Sequence, residues 1–191
     1  MDIQTKLHIR KQILEQREEI DINIRSQWDE DIFNNLINSE FYKNANTIFA
    51  FVSFRSEVDT HKIIKYAIKD QKTICVPRIK SKQKGLEIFK IDSFDQLKKG
   101  YFNILEPLES CPAIDSKNID LILMPGAAFD RQGGRLGYGA AFYDRFLCNM
   151  DNKVNKIAIA YNFQVLDNIP MDEHDVRIDG IVTEEEVILT N

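Results

Sequence analysis

The stretch that decides the fold is IDLILMPGAAFDRQGGRLGYG, residues 119–139. Residues 119–124 form a nearly continuous apolar run, which is typical of a strand buried on both faces of a sheet. Residues 125–139 follow with five of the chain's eight glycines, and a helix is predicted from about Gly139 to Asn149. A buried strand, a glycine-rich loop and a helix in this order indicate an α/β fold.

The same alternation of apolar runs and amphipathic stretches continues through the chain. Strands are predicted at 47–52, 72–76, 86–91, 156–161 and 180–183. Helices are predicted from the N-terminus through Ile24, from Ser26 as N-cap to about Ile37, and from Asp59 or Thr60 to about Asp70. Strands that alternate with helices are joined by right-handed crossover connections. We therefore expect a three-layer, mostly parallel, doubly wound sheet with N-terminal helices.

Composition limits the class of protein. The 191 residues are 43% hydrophobic and 29% charged, a balance typical of one globular domain, expected to span residues 1–191. A formal net charge of −5 argues against a general nucleic-acid binder, and no apolar run is long enough to cross a membrane. Three scattered cysteines fit buried thiols in a reducing compartment, so a cytoplasmic location is expected.

The glycine-rich loop, residues 125–139, has the chemistry of an anion site. Glycines allow the backbone to approach a ligand closely, and the free N–H groups together with Arg135 can bind phosphate oxygens. The loop lacks the Gly-Lys-Ser/Thr ending of a Walker A motif and the GxGxxG spacing of dinucleotide-binding folds. The residues alone therefore predict a small phosphate-bearing ligand, with a flexible surface loop as the alternative.

The longer stretch PGAAFDRQGGRLGYGAAFYDR, residues 125–145, strongly resembles the signature of the 5-formyltetrahydrofolate cyclo-ligases, also called 5,10-methenyltetrahydrofolate synthetases. Shorter similar pieces follow the family's order along nearly the whole chain: KLHIR (6–10), FVSFRSEVDT (51–60), VPR (76–78), NILEP (103–107) and EHD (173–175). The resemblance implies a ligase of one-carbon metabolism that uses ATP and Mg²⁺. It would close 5-formyltetrahydrofolate to 5,10-methenyltetrahydrofolate and release ADP and phosphate, with small molecules as its only partners.

The resemblance also implies roles for individual residues. Val52 and Glu57 would contact the pterin end of the folate, and Phe102 would stack beside it. Asp144 and Asp175 would hold Mg²⁺. The residues implied in ATP binding are Lys6, Arg10, Arg135, Leu136, Gly137, Tyr138, Gly139, Ala140, Ala141, Phe142 and Tyr143.

One departure from the family pattern keeps a second hypothesis open. Relatives usually carry Lys-Gly or Gly-Gly where this chain has Ala140-Ala141. The alternative to an active ligase is therefore a relative that binds folate or nucleotide with impaired turnover. A sugar-phosphate isomerase or CoA-transferase relative rests on fold analogy alone, because no base or glutamate nucleophile for those reactions can be identified.

Four cations alternate along a predicted hairpin: Arg78, Lys80, Lys82 and Lys84. Alternate residues of a strand share one face, so a hairpin would display all four on the same side. The preferred interpretation is a solvated edge. The other is a basic row beside the pterin pocket that attracts the polyglutamate tail of a cellular folate.

Overall fold

The computed structural model describes residues 3–81, 85–100, 103–148, 150 and 154–190. Phe102, Lys82 and Lys84 lie outside these residues. The helices are α1 (Ile3–Glu19), α2 (Ile22–Asn38), α3 (Glu40–Asn44), α4 (Thr60–Lys69) and α5 (Phe142–Leu147). The strands are β1 (Thr47–Ala50), β2 (Thr73–Ser81), β3 (Gly85–Ile91), β4 (Leu97–Lys99), β5 (Leu105–Pro107), β6 (Leu121–Met124), β7 (Ala128–Asp130), β8 (Arg135–Leu136), β9 (Asn155–Ile159), β10 (Val165–Leu166), β11 (Gly180–Val182) and β12 (Val187–Leu189).

Seven strands form the central sheet, in the order β12-β11-β9-β6-β1-β2-β3. The five inner strands pair in parallel, and only the edge strands β12 and β3 run antiparallel to their neighbours. The predicted mostly parallel sheet is therefore confirmed. Two short sheets lie beside it, one of β10, β7 and β8 and the other of β4 and β5.

Helices cover both faces of the sheet, as the three-layer prediction requires. On one face, Ile32 and Leu36 of α2 and Ile63 of α4 pack in one apolar cluster with alternate strand residues. On the other face, Leu147 of α5 packs with the intervening ones, such as Phe49. Burial of both strand faces explains why these strands are continuous apolar runs in the sequence. Within the described ranges, every helix is too short or too polar to cross a bilayer.

The predicted end of the first helix and the predicted cap of the second were wrong. The chain leaves α1 at Glu19, and α2 begins at Ile22 with Asp21 as its N-cap, whose carboxylate accepts the N–H groups of Asn23 and Ile24. Ser26 lies inside α2. The sequence pattern does not show this break, because isoleucines continue at helical spacing on both sides of it although the helical hydrogen bonding stops.

The helix after the glycine-rich loop is also shorter than predicted, running from Phe142 to Leu147 rather than from Gly139 to Asn149. The loop itself contains the antiparallel hairpin of β7 and β8, which the sequence analysis did not predict. A further edge strand, β12, follows the predicted last strand. Short strands of two or three residues carry too little periodicity to be recognised in a sequence.

The hairpin of β7 and β8 is organised by Asp130. This carboxylate is 1% exposed and accepts hydrogen bonds from the N–H groups of Gln132, Gly134 and Ile169 at 2.9, 2.7 and 2.6 Å. A Cβ on Gly134 would lie 2.3 Å from the Asp130 carboxylate, so only glycine fits there. The first half of the loop is therefore structural, and the amides of Gln132, Gly133 and Gly134 are already bonded.

Replacing Asp130 tests this arrangement. Asp130→Ala should lower the free energy of unfolding by about 3 kcal/mol or more, because it leaves buried N–H groups without an acceptor. Urea denaturation measures the change, with Asp167→Ala, at an exposed position in the same region, as the control. A loss no larger than that of the control would show that Asp130 does not hold the hairpin.

Candidate active site

A cavity of about 1060 Å³ opens beyond the carboxyl ends of β1 and β6. Phe51 and Val52, which follow β1, and Pro125, which follows β6, line it, as expected for a ligand site in an open α/β sheet. Every residue predicted for ATP, folate or Mg²⁺ binding that the structure describes lines this one cavity. Phe102 lies outside the described residues, so its predicted stacking role stays a prediction.

The basic face of α1 forms one wall of the cavity. Lys6, Arg10 and Arg17 all line it, as their helical spacing predicts. Nε of Arg10 donates to the carbonyl oxygen of Gly137 at 2.7 Å, and Nζ of Lys6 contacts Oδ2 of Asp175 at 2.7 Å. The N-terminal helix is thereby fixed against the glycine-rich loop.

A buried ion pair lies at the base of the cavity. Nη2 of Arg135 is 2.6 Å from Oδ1 of Asp144, and the two side chains are 3% and 17% exposed. Nη1 of Arg135 donates to the carbonyl oxygen of Pro125 at 3.2 Å. The N–H of Val176 reaches the same Oδ1 of Asp144 at 3.5 Å, so the segment of Asp175 lies directly beside Asp144.

The two predicted metal ligands therefore meet at the cavity. The contacts of Asp144 fall on Oδ1 and those of Asp175 on Oδ2, so within the described chain one oxygen of each carboxylate is left for a cation. Although burial alone would raise it, the Lys6 ammonium lowers the pKa of Asp175 and keeps this group ionised. The described residues contain no group of three His, Cys, Asp or Glu side chains that could hold a metal. Two carboxylates suit Mg²⁺, which commonly takes its other ligands from water and substrate phosphates.

The second half of the glycine-rich loop, residues 137–141, lines the cavity. Its amide N–H groups make no hydrogen bond to any residue that the structure describes. Gly139 has a φ of +95°, a conformation that side chains rarely adopt. These residues therefore retain the donors that an anion would use, in contrast to the first half of the loop.

Ala141 occupies a backbone position that suits glycine. Its φ of 50° and ψ of 26° lie in the left-handed region, directly before α5. For an L-residue this conformation costs roughly 1–2 kcal/mol. The chain thus keeps the path that a glycine would take, at the position where the resemblance implies a glycine.

The part of the cavity predicted to bind folate is apolar around one carboxylate. Oε2 of Glu57 accepts the N–H of Phe54 at 2.8 Å. Burial raises the pKa of Glu57, and the contacts with Tyr138 and Arg17 oppose the rise. The remaining wall is largely apolar: Val52, Phe54, Pro77, Ile79, Leu86, Ile104 and Leu105.

Two buried polar atoms at the inner end of the site are unsatisfied. The Tyr143 hydroxyl and Nε of Arg135 have no hydrogen-bond partner among the described residues. The Tyr143 ring stacks on Phe49, with centroids 5.8 Å apart, which fixes the direction of its hydroxyl. Unpaired buried donors are rare in folded proteins and are commonly satisfied by a ligand or water.

Some cavity residues were missed by the sequence analysis, and the less favoured interpretation of the basic hairpin does not hold for Arg78. Arg17 and Glu106 were not assigned to the site, although both line the cavity. The predicted hairpin forms, but Arg78 points to the face opposite Pro77 and Ile79. There its guanidinium lies 4.3 Å from the Phe89 ring centroid and donates to the Pro107 carbonyl oxygen. Arg78 therefore does not belong to a basic row beside the cavity.

The strained backbone at Ala141 gives a prediction of opposite signs at neighbouring positions. Ala141→Gly should raise the free energy of unfolding by about 0.5–1 kcal/mol, because it relieves the left-handed strain and that gain exceeds the extra entropy of the unfolded chain. Ala140→Gly, where φ is not positive, should lower it slightly. Urea denaturation of both variants decides the matter, and a destabilised Ala141→Gly protein would contradict the account.

The buried carboxylate of Glu57 predicts a pH-dependent cost. Because its pKa is raised in the folded protein, stability is lost as pH rises from the ordinary glutamate value of 4.5 through the folded pKa. Glu57→Gln should therefore raise Tm at neutral pH, with the difference shrinking toward acidic pH. Calorimetry across pH measures it, and Glu109→Gln at an exposed position controls for the lost charge. An equal gain in both variants would refute the burial effect.

Comparison with known proteins agrees with this site. The sequence model of the 5-formyltetrahydrofolate cyclo-ligase family matches residues 2–184. The mouse 5-formyltetrahydrofolate cyclo-ligase is 33% identical over 154 residues, covering 75% of this chain and 76% of the mouse protein. The Escherichia coli K12 enzyme of the same name is 30% identical over 146 residues, covering 75% of this chain and 80% of that protein.

Solved structures give the same result. The NMR structure of Aquifex aeolicus 5,10-methenyltetrahydrofolate synthetase superposes with a TM-score of 0.86 at 30% identity, covering 96% of this chain and 92% of that one. The Mycoplasma pneumoniae 5,10-methenyltetrahydrofolate synthetase gives a TM-score of 0.76 at 27% identity, covering 97% of this chain and 100% of that one. Sequence, fold and cavity together lead to one conclusion: this chain belongs to the 5-formyltetrahydrofolate cyclo-ligase family.

Proposed function

We propose that this chain uses ATP to close 5-formyltetrahydrofolate to 5,10-methenyltetrahydrofolate, releasing ADP and phosphate. The family is ATP-dependent, and the cavity unites a donor-rich loop, two carboxylates and an apolar pocket. The observation that carries the proposal is that every described residue with an implied role lines this single cavity. Its walls extend from Lys6 to Asp175, which supports treating residues 1–191 as one catalytic domain.

The triphosphate would bind along residues 137–141. Their amides are free to donate, and Arg10 and Lys6 add positive charge from α1. The unsatisfied Nε of Arg135 and hydroxyl of Tyr143 would donate to ligand oxygens at the inner end. Donors fixed before the ligand arrives stabilise developing charge without reorganisation.

Mg²⁺ would be held by Asp144 and Asp175, through the oxygens that the protein's own contacts leave open. The ion pairs with Arg135 and Lys6 fix the other oxygens, so the carboxylates are oriented in advance. Bound there, Mg²⁺ would neutralise charge on the transferring phosphoryl group.

The reaction follows from the chemistry of the two substrates. The oxygen of the formyl group on N5 attacks the γ-phosphorus of ATP, and the bond between this phosphorus and the bridging oxygen of ADP breaks. The formyl carbon thereby becomes part of an activated, phosphorylated imidate. N10 then adds to this carbon, the C–O bond to phosphate breaks, and N10 loses its proton as the methenyl cation forms. Val52 and the apolar wall would exclude water from the activated carbon, and Glu57 would orient the pterin by accepting its N–H groups.

A binding relative with impaired turnover remains the second candidate, because Ala140 lacks the amino group that relatives often carry there. Against it stands Ala141, whose backbone takes the left-handed path of the usual glycine. We also propose a cytoplasmic location, supported by free thiols at all three cysteines. Cys75 and Cys111 are buried as predicted, whereas Cys148 is exposed.

One assay separates the two candidates. Protein mixed with 5-formyltetrahydrofolate and Mg-ATP should produce the methenyl chromophore with one ADP per product formed. Binding of both substrates by calorimetry without the chromophore would favour the impaired relative. In that case Ala140→Lys, which adds a cation facing the cavity, should tighten ATP binding and restore turnover.

The metal assignment has a matched pair of variants. Asp172 and Asp175 both contact Lys6, at 2.6 and 2.7 Å, but only Asp175 lines the cavity. Asp175→Asn should lower turnover about a hundredfold by removing a transition-state contact, with a higher Mg²⁺ requirement, while Asp172→Asn stays near native. Similar losses in the two variants would contradict a metal role for Asp175.

A further inference from the structure

The least explained charge in the site is Arg17. Its side chain lies on α1 and is 5% exposed, which is unusual for a cation without a carboxylate ion-pair partner among the described residues. Nε donates to Oγ of Ser56 at 3.1 Å, and Nη1 donates to the hydroxyl of Tyr138 at 3.0 Å. One guanidinium therefore joins α1, the loop that follows β1, and the glycine-rich loop.

The Tyr138 hydroxyl continues this chain of contacts. It accepts a hydrogen bond from Arg17 and donates to the carbonyl oxygen of Gly126 at 3.4 Å. On the other side, Arg17 contacts Ser56, which directly precedes Glu57, and the Glu57 carboxylate accepts the N–H of Phe54. Arg17 thus joins the loop of residues 137–141 to the segment that carries the carboxylate at the folate side.

Few other contacts hold this part of the glycine-rich loop. The amides of residues 137–141 are unbonded within the described chain. Arg10 holds the carbonyl of Gly137, and Arg145 holds the carbonyls of Ala140 and Ala141. The position of the loop therefore depends on these carbonyl contacts and on the Tyr138 hydroxyl, and of these only the hydroxyl leads through Arg17 to the folate side.

We propose that Arg17 is a positioning residue that fixes Tyr138 against the segment of Ser56 and Glu57 and so couples the phosphate loop to the folate pocket. The inference rests on the proposed function, since it concerns how the two substrates of that reaction affect each other. A pterin that binds Glu57 orders Ser56 and Arg17, and through the Tyr138 hydroxyl it orders the amides of residues 137–141. A nucleotide bound to those amides orders Glu57 in the same way.

Coupling of this kind has a thermodynamic signature. If one bound substrate raises the protein's affinity for the other by a given factor, the second substrate must raise the affinity for the first by the same factor. Coupling between two sites commonly amounts to roughly 5- to 150-fold. A residue with a purely structural role would change stability or both affinities without changing this factor.

The test compares wild type with Tyr138→Phe, which keeps the ring and removes only the hydroxyl. Calorimetry gives the Kd of the magnesium complex of a non-hydrolysable ATP analogue with and without saturating 5-formyltetrahydrofolate, and the reverse titration checks reciprocity. Wild type should show at least about fivefold coupling, and Tyr138→Phe should show nearly none. Arg17→Gln should lose it too; if that variant fails to fold, Tyr138→Phe alone decides.

The control is Arg10→Gln, which removes a loop contact that does not lead to Glu57. It should bind the nucleotide analogue more weakly but retain the wild-type coupling factor. Independent binding in wild type, or undiminished coupling in Tyr138→Phe, would overturn the inference while leaving the proposed function intact. Failure of wild type to bind either ligand would instead overturn the proposed function, and this inference with it.

Discussion

The ion pair between Arg135 and Asp144 is the contact on which the site depends. Buried ion pairs seldom add net stability, because removing two charges from water costs about as much as their attraction returns. This pair is nonetheless 3% and 17% exposed, with a separation of 2.6 Å. Its consequence is positional. It joins β8 to α5, holds the start of the loop through Pro125, and leaves one Asp144 oxygen for the cavity.

The two halves of the glycine-rich loop have different roles. In the first half, Asp130 binds the amides, and a side chain on Gly134 would collide with its carboxylate. In the second half the amides make no hydrogen bond within the described chain, and these residues line the cavity. The rigid first half determines where Arg135 and the second half lie. Glycine is needed in the first half because a side chain would collide with Asp130, and it is useful in the second half because it leaves the backbone open to a ligand.

The fold was predictable wherever the signal was local. Continuous apolar runs identified the buried inner strands, and Asp59 identified the start of α4, because both patterns arise within a few residues. The break between α1 and α2 could not be predicted, since Ser26 and Asp21 are both good capping residues and only the packing selects Asp21. The late start of α5 follows from the left-handed turn at Ala141, which no propensity indicates.

The residues of the site also differ in how far a local sequence signal could predict them. The loop residues from Arg135 to Asp144 were predictable because they are contiguous and carry the family's signature. Arg17 could have been found from its shared face with Lys6 and Arg10, but its burial depends on Ser56 and Tyr138, which are distant in sequence. For Arg78, strand alternation was predicted correctly, yet which face meets the cavity depends on the packing of β5 against β2.

We propose above all that Asp144 and Asp175 would share one metal ion with the phosphates of a nucleotide on residues 137–141. The most direct measurement is a crystal structure with Mn²⁺ in place of Mg²⁺, the ATP analogue and 5-formyltetrahydrofolate, with the metal located by anomalous scattering. The account predicts one peak about 2.1 Å from an oxygen of each carboxylate, with phosphate oxygens on the loop amides and the Arg135 contact to Asp144 retained. A peak bound to phosphates alone, or a nucleotide away from residues 137–141, would contradict it.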